Sequence, residues 1–356
     1  MKQYTEEILF TEMLALLKKL IATPSFSKEE NGTALVLQNF IQHHNIPTNR
    51  HHNNIWLTNL HYDNSKPTLL LNSHHDTVKP NSGYTYAPFN PIELDGKLYG
   101  LGSNDAGGCL VSLLATFLYY YNRADLKYNL VFAATGEEEI SGANGIASLL
   151  PIIGEIDMAI VGEPTQMQMA IAEKGLVVLD CETKGIAGHA ARDEGENAIY
   201  KSIKDIQWFG SYQFPKTSAL LGPVKMSLTM ISAGTQHNVV PDSCRYTVDV
   251  RVNECYTNED ILAIVKDNVH CEVNARSMRL RSTAIDINHP LVIAGIAIGR
   301  KYFGSSTLSD KVFMTFPALK MGPGDSARSH TADEYIYTEE IKEGINLYIQ
   351  LLNQLL

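Results

Sequence analysis

The chain has 356 residues, of which 44% are hydrophobic and 19% charged, and its formal net charge is −10. This composition is typical of a globular protein with room for two domains, and an acidic chain without a basic run argues against nucleic acid or an anionic membrane as a partner. The sequence shows no apolar stretch long enough for a membrane span and no signal-peptide layout in residues 1–7, and its five scattered cysteines suit reduced thiols. We therefore expect a cytoplasmic protein.

The first part of the chain alternates predicted helices and strands. An apolar stripe at helical spacing predicts a helix over residues 6–21, and Ser27 with Glu30 predicts a capping box for a second helix that runs to about residue 42. Short apolar runs predict strands at residues 54–60 and 68–72. The second of these strands leads directly into a candidate site.

His74, His75 and Asp76 follow the strand at residues 68–72. The short apolar run of this strand is typical of buried strands in a mostly parallel sheet, where ligands bind beyond the carboxyl ends of the strands. Because residues two apart on an extended chain share a side, His74 and Asp76 can meet while His75 points away, and Asp76 is placed to orient a metal-bound His74. Taken alone, a His-x-Asp pair is a weak indication of a metal site, so this interpretation depends on finding further ligands elsewhere in the chain.

Glycines surround Asp105 in the segment of residues 96–108. This pattern indicates backbone packed tightly around one carboxylate. A glycine-rich turn with an Asx cap on the helix predicted at residues 109–121 is the alternative, and the segment alone favours it.

Acidic residues also follow the next two predicted strands. The strand at residues 130–134 runs into the three glutamates at 137–139, which repel one another unless a cation neutralises them. A solvated helix N-terminus is the alternative, since acids there favour the helix dipole. The strand at residues 158–161 delivers Glu163. Three strands thus each end at an acid or a histidine. This coincidence favours a shared metal site over a separate structural explanation for each motif.

The pattern changes at about residue 174. From there the predicted elements follow the order β-α-β-β-α-β of a ferredoxin-like sandwich, so we predict that residues 174–285 form an inserted α+β domain. Residues 1–173 and 286–356 then form one discontinuous α/β domain. The remaining predicted elements are strands at 176–183, 224–232, 244–252, 271–287 and 313–321, helices at 197–209, 258–269, 289–303 and from 339 onward, and a loop at 322–335 that holds His330.

The motifs together resemble one known family, the acetylornithine deacetylase and succinyl-diaminopimelate desuccinylase family of co-catalytic zinc amidohydrolases. The resemblance covers essentially the whole chain, and it implies a zinc-hydrolase catalytic domain with an inserted lid and dimerisation domain. The motifs that carry it occur in the family's order and rough spacing; they are His74-x-Asp76, Gly102-x-x-Asp105, Glu137-Glu138, Gly162-Glu163-Pro164 and His330.

The resemblance implies two Zn²⁺ ions per subunit bridged by Asp105, with Co²⁺ or Mn²⁺ as possible substitutes. His74 and Glu163 complete the first site by this comparison, and Glu138 and His330 complete the second. These nitrogen and oxygen ligands suit zinc.

The resemblance also implies catalytic roles outside the ligand set. Asp76 orients His74, Glu137 is the general base, and His189 donates a hydrogen bond to the oxyanion, commonly across a dimer interface. A cis peptide bond after Asp105 is frequent in the family. The chain departs from the family's Asp-Glu-Glu stretch in one place, because Gly136 precedes the pair Glu137-Glu138.

Asn238 and Arg251 match positions of the inserted domain that hold a substrate carboxylate in relatives, and Arg328 is a second arginine candidate because it lies close to His330 in sequence. An arginine fork suits a carboxylate. A surface or structural ion pair is the alternative for each arginine.

The implied function is a cytoplasmic N-acyl amino acid deacylase that forms a homodimer through the lid domain. Its expected reaction is hydrolysis of N-acetyl-ornithine to ornithine and acetate in arginine biosynthesis. The alternatives are a desuccinylase for N-succinyl-ornithine or succinyl-diaminopimelate, a dipeptidase, a carboxypeptidase, and an inactive scaffold. The filled ligand positions count against the scaffold.

Overall fold

The computed structural model describes residues 5–192 and 194–356, and these residues form two compact units. Of the described residues, unit 1 takes in 5–171, Ile285–Phe303 and Ser309–Leu356, and unit 2 takes in 172–192, 194–284 and Gly304–Leu308. The assignment of residues 174–285 to a lid domain stays a prediction.

Helices and strands alternate along most of the described chain. The α-helices are α1 (Glu6–Ile21), α2 (Asn31–His43), α3 (Gly108–Tyr120), α4 (Ile146–Leu149), α5 (Ala198–Ser211), α6 (Asn258–Asn268), α7 (Pro290–Ala297) and α8 (Thr338–Leu352). The strands are β1 (Asn49–His51), β2 (Asn54–Thr58), β3 (Thr68–His74), β4 (Ile92–Leu94), β5 (Lys97–Tyr99), β6 (Asn129–Thr135), β7 (Met158–Val161), β8 (Met169–Glu173), β9 (Gly175–Lys184), β10 (Gly188–His189), β11 (Lys225–Ala233), β12 (Val239–Val240), β13 (Ser243–Val252), β14 (Glu272–Ala275), β15 (Thr283–Ala284), β16 (Tyr302–Ser305), β17 (Ala318–Lys320) and β18 (Tyr335–Tyr337).

The main sheet has the strand order β1-β2-β6-β3-β7-β17-β8-β15, with β16 paired to β8. Its central strands β6, β3, β7 and β17 run parallel, and antiparallel strands flank them on both sides. Strand β3 is buried along its whole length because Leu69 and Leu71 pack with the helices on one face while Leu70 packs with α4 on the other. The predicted α/β fold with a mostly parallel sheet is confirmed.

Unit 2 contains a four-stranded antiparallel sheet of order β11-β13-β9-β14. Alternate residues of β9 are buried, and they share one apolar core with residues of α5 and α6, so the helices cover a single face. The elements follow the chain order β-α-β-β-α-β, and the predicted ferredoxin-like arrangement is confirmed.

Three predicted boundaries were wrong for identifiable reasons. Helix α7 ends at Ala297 rather than 303, because Gly299 adopts a left-handed conformation and the Arg300 N–H donates to the Gly295 carbonyl, which closes a Schellman-type cap. The predicted strand at 271–287 is interrupted between β14 and β15. The predicted strand at 313–321 contains a 3₁₀ turn up to Phe313 and only the short β17.

The predicted capping box at the start of α2 is also wrong. The helix begins at Asn31, and its N-cap Glu30 makes no capping hydrogen bond through its side chain. The Ser27 hydroxyl instead donates to the Asp76 carboxylate over 2.7 Å, so its partner lies at the candidate site. Among the helices of the described ranges, none is long and apolar enough to cross a membrane.

Candidate metal centre

The site lies in unit 1, where three neighbouring parallel strands end at one edge of the main sheet. Strand β3 ends at His74, β6 ends at Thr135 just before the three glutamates, and β7 ends at Val161 just before Glu163. The carboxyl edge of an open α/β sheet is the usual place for ligands. An irregular turn at Ser103–Gly107 adds Asp105 to the same place.

His74 is buried and faces three carboxylates with one ring nitrogen. Its Nε2 lies 3.3 Å from Asp105 Oδ1, 3.8 Å from Glu163 Oε1 and 4.0 Å from Glu138 Oε2. Its Nδ1 lies 3.0 Å from the Asp76 carbonyl oxygen and 3.4 Å from Asp76 Oδ1. A proton on Nδ1 satisfies these acceptors and leaves the Nε2 lone pair directed at the carboxylates, as a metal ligand requires.

Asp76 holds His74 chiefly through its main chain, while its carboxylate supports the next loop. Oδ1 accepts from the Glu138 N–H over 3.1 Å, and Oδ2 accepts from the Glu139 N–H over 3.2 Å and from Ser27. Burial acts to raise the pKa of Asp76, but His74 and Ser27 outweigh it and hold that pKa below its ordinary value. The carboxylate is therefore charged and fixes the glutamate turn beside His74.

A second group of ligand atoms surrounds the other oxygen of Asp105. His330 Nε2 lies 3.6 Å from Asp105 Oδ2 and 3.0 Å from Glu139 Oε2. The hydrogen bond to Glu139 raises the pKa of His330 to about 9. Asp105 thus lies between the two histidines with one oxygen toward each, which is the arrangement of a bridging ligand. The expected cis bond is confirmed at Asp105–Ala106.

The structure brings Glu138 and Glu139 to the centre, whereas the sequence placed Glu137 and Glu138 there. The Glu137 carboxylate accepts from the Asn144 side chain over 2.8 Å and from the Asn144 N–H over 3.1 Å. It packs so closely on Gly142 that an added Cβ there would lie 2.1 Å from Glu137 Oε2. The Glu137 carboxylate is therefore engaged with Asn144, and the roles expected for Glu137 as base and Glu138 as metal ligand stay predictions.

The donor set fits a pair of divalent cations. His74, Glu138 and Glu163 form one group of mutually close ligand atoms, and His74, Asp105 and Glu139 form another. Burial and neighbouring carboxylates raise the pKa of Glu138 well above its ordinary value. Such crowding of buried acids is unfavourable unless cations neutralise them, and carboxylate oxygens with imidazole nitrogens are ligands that zinc accepts.

Buried acids to which the sequence analysis gave no role at the site hold the loops of the centre. Glu30 accepts from the Glu137 N–H over 3.1 Å, and Asp310 accepts from the Thr135 hydroxyl over 2.7 Å. Burial raises the pKa of Asp310 to about 7. Glu334 accepts three main-chain N–H groups of the turn that carries Asp105. No local sequence motif distinguishes these residues from solvated surface acids.

Arg328 is engaged in a structural ion pair, which was the alternative to its predicted role. Its guanidinium donates to both oxygens of Glu340 over 2.7 and 2.9 Å and lies over the rings of Tyr335 and Tyr337 at 4.8 and 5.2 Å. Its fork is directed at Glu340, and its role in binding a substrate carboxylate stays a prediction.

The other three predicted residues belong to unit 2. His189 and Asn238 lie on or next to the paired strands β10 and β12, and His189 Nδ1 accepts the Ala191 N–H over 3.1 Å. Arg251 forms a two-point ion pair with Asp249 over 2.8 and 3.0 Å. Roles of His189, Asn238 and Arg251 at the metal centre stay predictions.

Comparison with known proteins relates this geometry to one family. The sequence model of peptidase family M20/M25/M40 matches residues 70–354. The chain is 26% identical to a succinyl-diaminopimelate desuccinylase of Rickettsia bellii over 96% of both chains. It is 28% identical to an acetylornithine deacetylase of Shigella sonnei over 80% of this chain and 79% of that one.

Solved structures share the fold at lower identity. The aminopeptidase PepT of Bacillus cereus has a TM-score of 0.78 at 18% identity and covers 99% of this chain and 100% of its own. A Bacillus subtilis protein described as a dinuclear metal-binding peptidase from the M20 family has a TM-score of 0.73 at 14% identity, with 98% of this chain and 99% of that one covered.

Proposed function

The chain belongs to peptidase family M20/M25/M40, and from this premise we propose that it hydrolyses the amide bond of an N-acyl amino acid with two zinc ions. The observation that carries the proposal is the convergence of two histidines and four carboxylates at the carboxyl edge of the main sheet, with Asp105 between the histidines.

We assign His74, Asp105 and Glu163 to the first ion and Asp105, Glu139 and His330 to the second. The distances among these ligand atoms support this division, since Asp105 directs Oδ1 toward His74 and Oδ2 toward His330. Three protein ligands at each ion leave open positions, as catalytic zinc sites require. Co²⁺ or Mn²⁺ are expected to support activity as substitutes.

Glu138 is our candidate for the general base. It lies beside both His74 and Glu163, and it is not among the residues that we assign to either ion. Glu137, the base expected from the sequence, has its carboxylate bonded to Asn144. A base must lie within reach of the water that it deprotonates, and of these two residues Glu138 meets that condition.

When bound, the ions supply a water of lowered pKa and a Lewis acid for the substrate carbonyl. Glu138 would accept a proton from the attacking water as the water oxygen forms its bond to the carbonyl carbon. Glu138 then returns the proton to the amine nitrogen as the C–N bond breaks, so an acid and an amine leave. His189 is proposed as the oxyanion donor, because its Nδ1 accepts the Ala191 N–H and the proton of the neutral ring is then on Nε2.

N-acetyl-ornithine is the first candidate substrate, and the relative named acetylornithine deacetylase supports it. Arg251 and Asn238 are the proposed partners of the substrate carboxylate; the ion pair with Asp249 uses two of the five guanidinium donors of Arg251. A succinylated substrate is the second candidate because several relatives are named succinyl-diaminopimelate desuccinylase. Peptide substrates are the third, since the solved structures include an aminopeptidase and a tripeptidase.

A homodimer through unit 2 is also proposed. Strand β11 lies at the edge of the four-stranded sheet, and its Met230 and Ile231 are 64% and 56% exposed. An exposed apolar edge strand favours pairing with another chain. Light scattering should give a dimer mass for the wild type and a monomer mass for Met230→Lys; a wild-type monomer contradicts the proposal.

The deciding experiment measures amine release from N-acetyl-ornithine and N-succinyl-ornithine with zinc-loaded enzyme, beside a panel of dipeptides. We expect the highest kcat/KM for the acetyl compound. A preference for the succinyl compound moves the assignment to a desuccinylase, and a clear preference for a dipeptide overturns the deacylase proposal.

A further inference from the structure

Glu334 is a buried carboxylate that neither the metal ligation nor the proton transfer uses. Glu334 is only 1% exposed to solvent. Its Oε1 accepts from the N–H groups of Asn104 and Asp105, both over 2.9 Å, and its Oε2 accepts from the Gly102 N–H over 3.1 Å. The carboxylate therefore faces the main chain of the turn that carries the bridging ligand.

This turn needs an acceptor because its backbone is irregular. Gly102 adopts a left-handed conformation, and Asp105 and Ala106 have non-helical dihedral angles inside the turn. Successive N–H groups in such a turn point to one side and form a concave anion site. Glu334 fills that site with its two carboxyl oxygens, so the orientation of Asp105 depends on it.

The loop that carries His330 is attached to the same turn at a second point. Asn104 Nδ2 donates to the Asp325 carbonyl over 3.0 Å, and the Asp325 N–H donates to Asn104 Oδ1 over 3.0 Å. His330 lies between Asp325 and Glu334 in the chain. Both sides of the His330 loop are thus tied to the turn of Asp105, and these ties set the 3.6 Å spacing between His330 Nε2 and Asp105 Oδ2.

We propose that Glu334 is a positioning residue that holds Asp105 and His330 at the spacing needed to bind the second metal ion. The inference rests on the proposed two-metal function and adds a residue to it. Replacing a carboxyl oxygen of Glu334 with a group that cannot accept these N–H bonds should let the turn and the His330 loop separate. Binding of the first ion should weaken less than binding of the second, because Asp105 is a proposed ligand of both ions whereas His74 and Glu163 reach the first ion from the ends of β3 and β7.

The test is a titration of the metal-free protein with Co²⁺, read by visible absorption and calorimetry. We expect two Co²⁺ ions on the wild type. In Glu334→Gln, binding of the second ion should weaken by about 10- to 100-fold, the usual effect of losing an outer-shell partner, and its absorption band should change. Glu334→Asp keeps both carboxyl oxygens on a shorter side chain and should restore part of the affinity.

Asp333→Asn is the matched control, because it removes the neighbouring carboxylate of the same loop. Asp333 accepts from the N–H groups of Thr85 and Tyr86, and these groups lie outside the Asp105 turn. This variant should bind both ions as the wild type does. Equal weakening in Asp333→Asn, or wild-type binding of the second ion in Glu334→Gln, overturns the proposal.

The outcomes also separate this inference from the proposed function. If Glu334→Gln does not fold, the result from Glu334→Asp decides, and wild-type affinity in that variant counts against a positioning role. A wild type that binds no second ion overturns the two-metal function together with this inference. A wild type that binds two ions but hydrolyses no amide overturns the function and leaves the role of Glu334 in place.

Discussion

Glu137 and Glu138 are adjacent acids with different surroundings, and substitution of each one separates their roles. Glu138→Gln should lower kcat by about 10²- to 10⁴-fold, the usual contribution of a general base, while two zinc ions remain bound. Glu137→Gln should lower kcat far less, because the Glu137 carboxylate contacts Asn144. Steady-state kinetics with metal analysis measure both effects. The reverse order of the two losses would return the base to Glu137.

Glu139 gives a second test at the level of single residues. Its Oε2 lies 3.0 Å from His330 Nε2, so Glu139→Gln should remove a ligand of the second ion and lower the zinc content from two to about one per chain. Elemental analysis of the purified variant measures this directly. Glu138→Gln serves as the control with the neighbouring charge removed, and a loss of zinc in that variant instead would make Glu138 the ligand.

The sequence predicted part of the centre because some side chains are positioned by regular structure. His74 and Asp76 follow a strand whose apolar pattern is evident, so their position at its carboxyl end could be predicted. Glu139 and Glu334 could not, because a left-handed residue at Glu137 redirects the glutamate run and the partners of Glu334 are 229 to 232 positions away along the chain. Tertiary contacts of this kind leave no periodic signal.

Helix α6 shows that the sequence can predict a helix without predicting which residue caps it. The helix begins at Asn258, as the sequence predicted, and its N-cap is Thr257, which forms a capping box with Asp260 over 2.9 and 3.0 Å. The Asn258 side chain is buried and donates to the carbonyls of Met278 and Leu280. The spacing of apolar residues predicted the helix, whereas the choice between two adjacent polar residues depended on packing.

Thr257→Ala should therefore lower the free energy of unfolding by about 1 kcal/mol, the usual value of an N-cap. Urea unfolding followed by circular dichroism measures the change, and Thr257→Ser, which keeps the hydroxyl, should unfold like the wild type. Because the chain has two units that can unfold separately, the free energy is taken from the unfolding transition that includes unit 2, where α6 lies. An Ala variant as stable as the wild type would mean that the capping box does not stabilise α6.

For the whole molecule, the metal centre is expected to couple ligand binding to stability. Of the four carboxylates of the ligand groups, Glu138 and Glu139 lie in the loop after β6, Glu163 follows β7, and Asp105 lies in the turn at Ser103–Gly107. Repulsion among them opposes the packed arrangement of these loops in the metal-free protein, and cations reverse it. The carboxylates that are proposed to bind metal in this M20 metallohydrolase therefore also lower the stability of the metal-free chain, and bound cations are expected to remove that repulsion.

Removal of metal with a chelator should accordingly lower Tm, and added zinc should restore it. An ion that binds the folded chain at a free concentration of 1,000 times its Kd stabilises it by about 4 kcal/mol. Scanning calorimetry measures the shift, with Glu137→Gln as a control that keeps all five proposed ligand residues and should respond like the wild type. In Glu139→Gln the response should be smaller because only the first ion still binds with full affinity. A Tm that does not respond to zinc in the wild type would mean that the clustered carboxylates are stable without cations, and the proposed centre would then lose its main physical support.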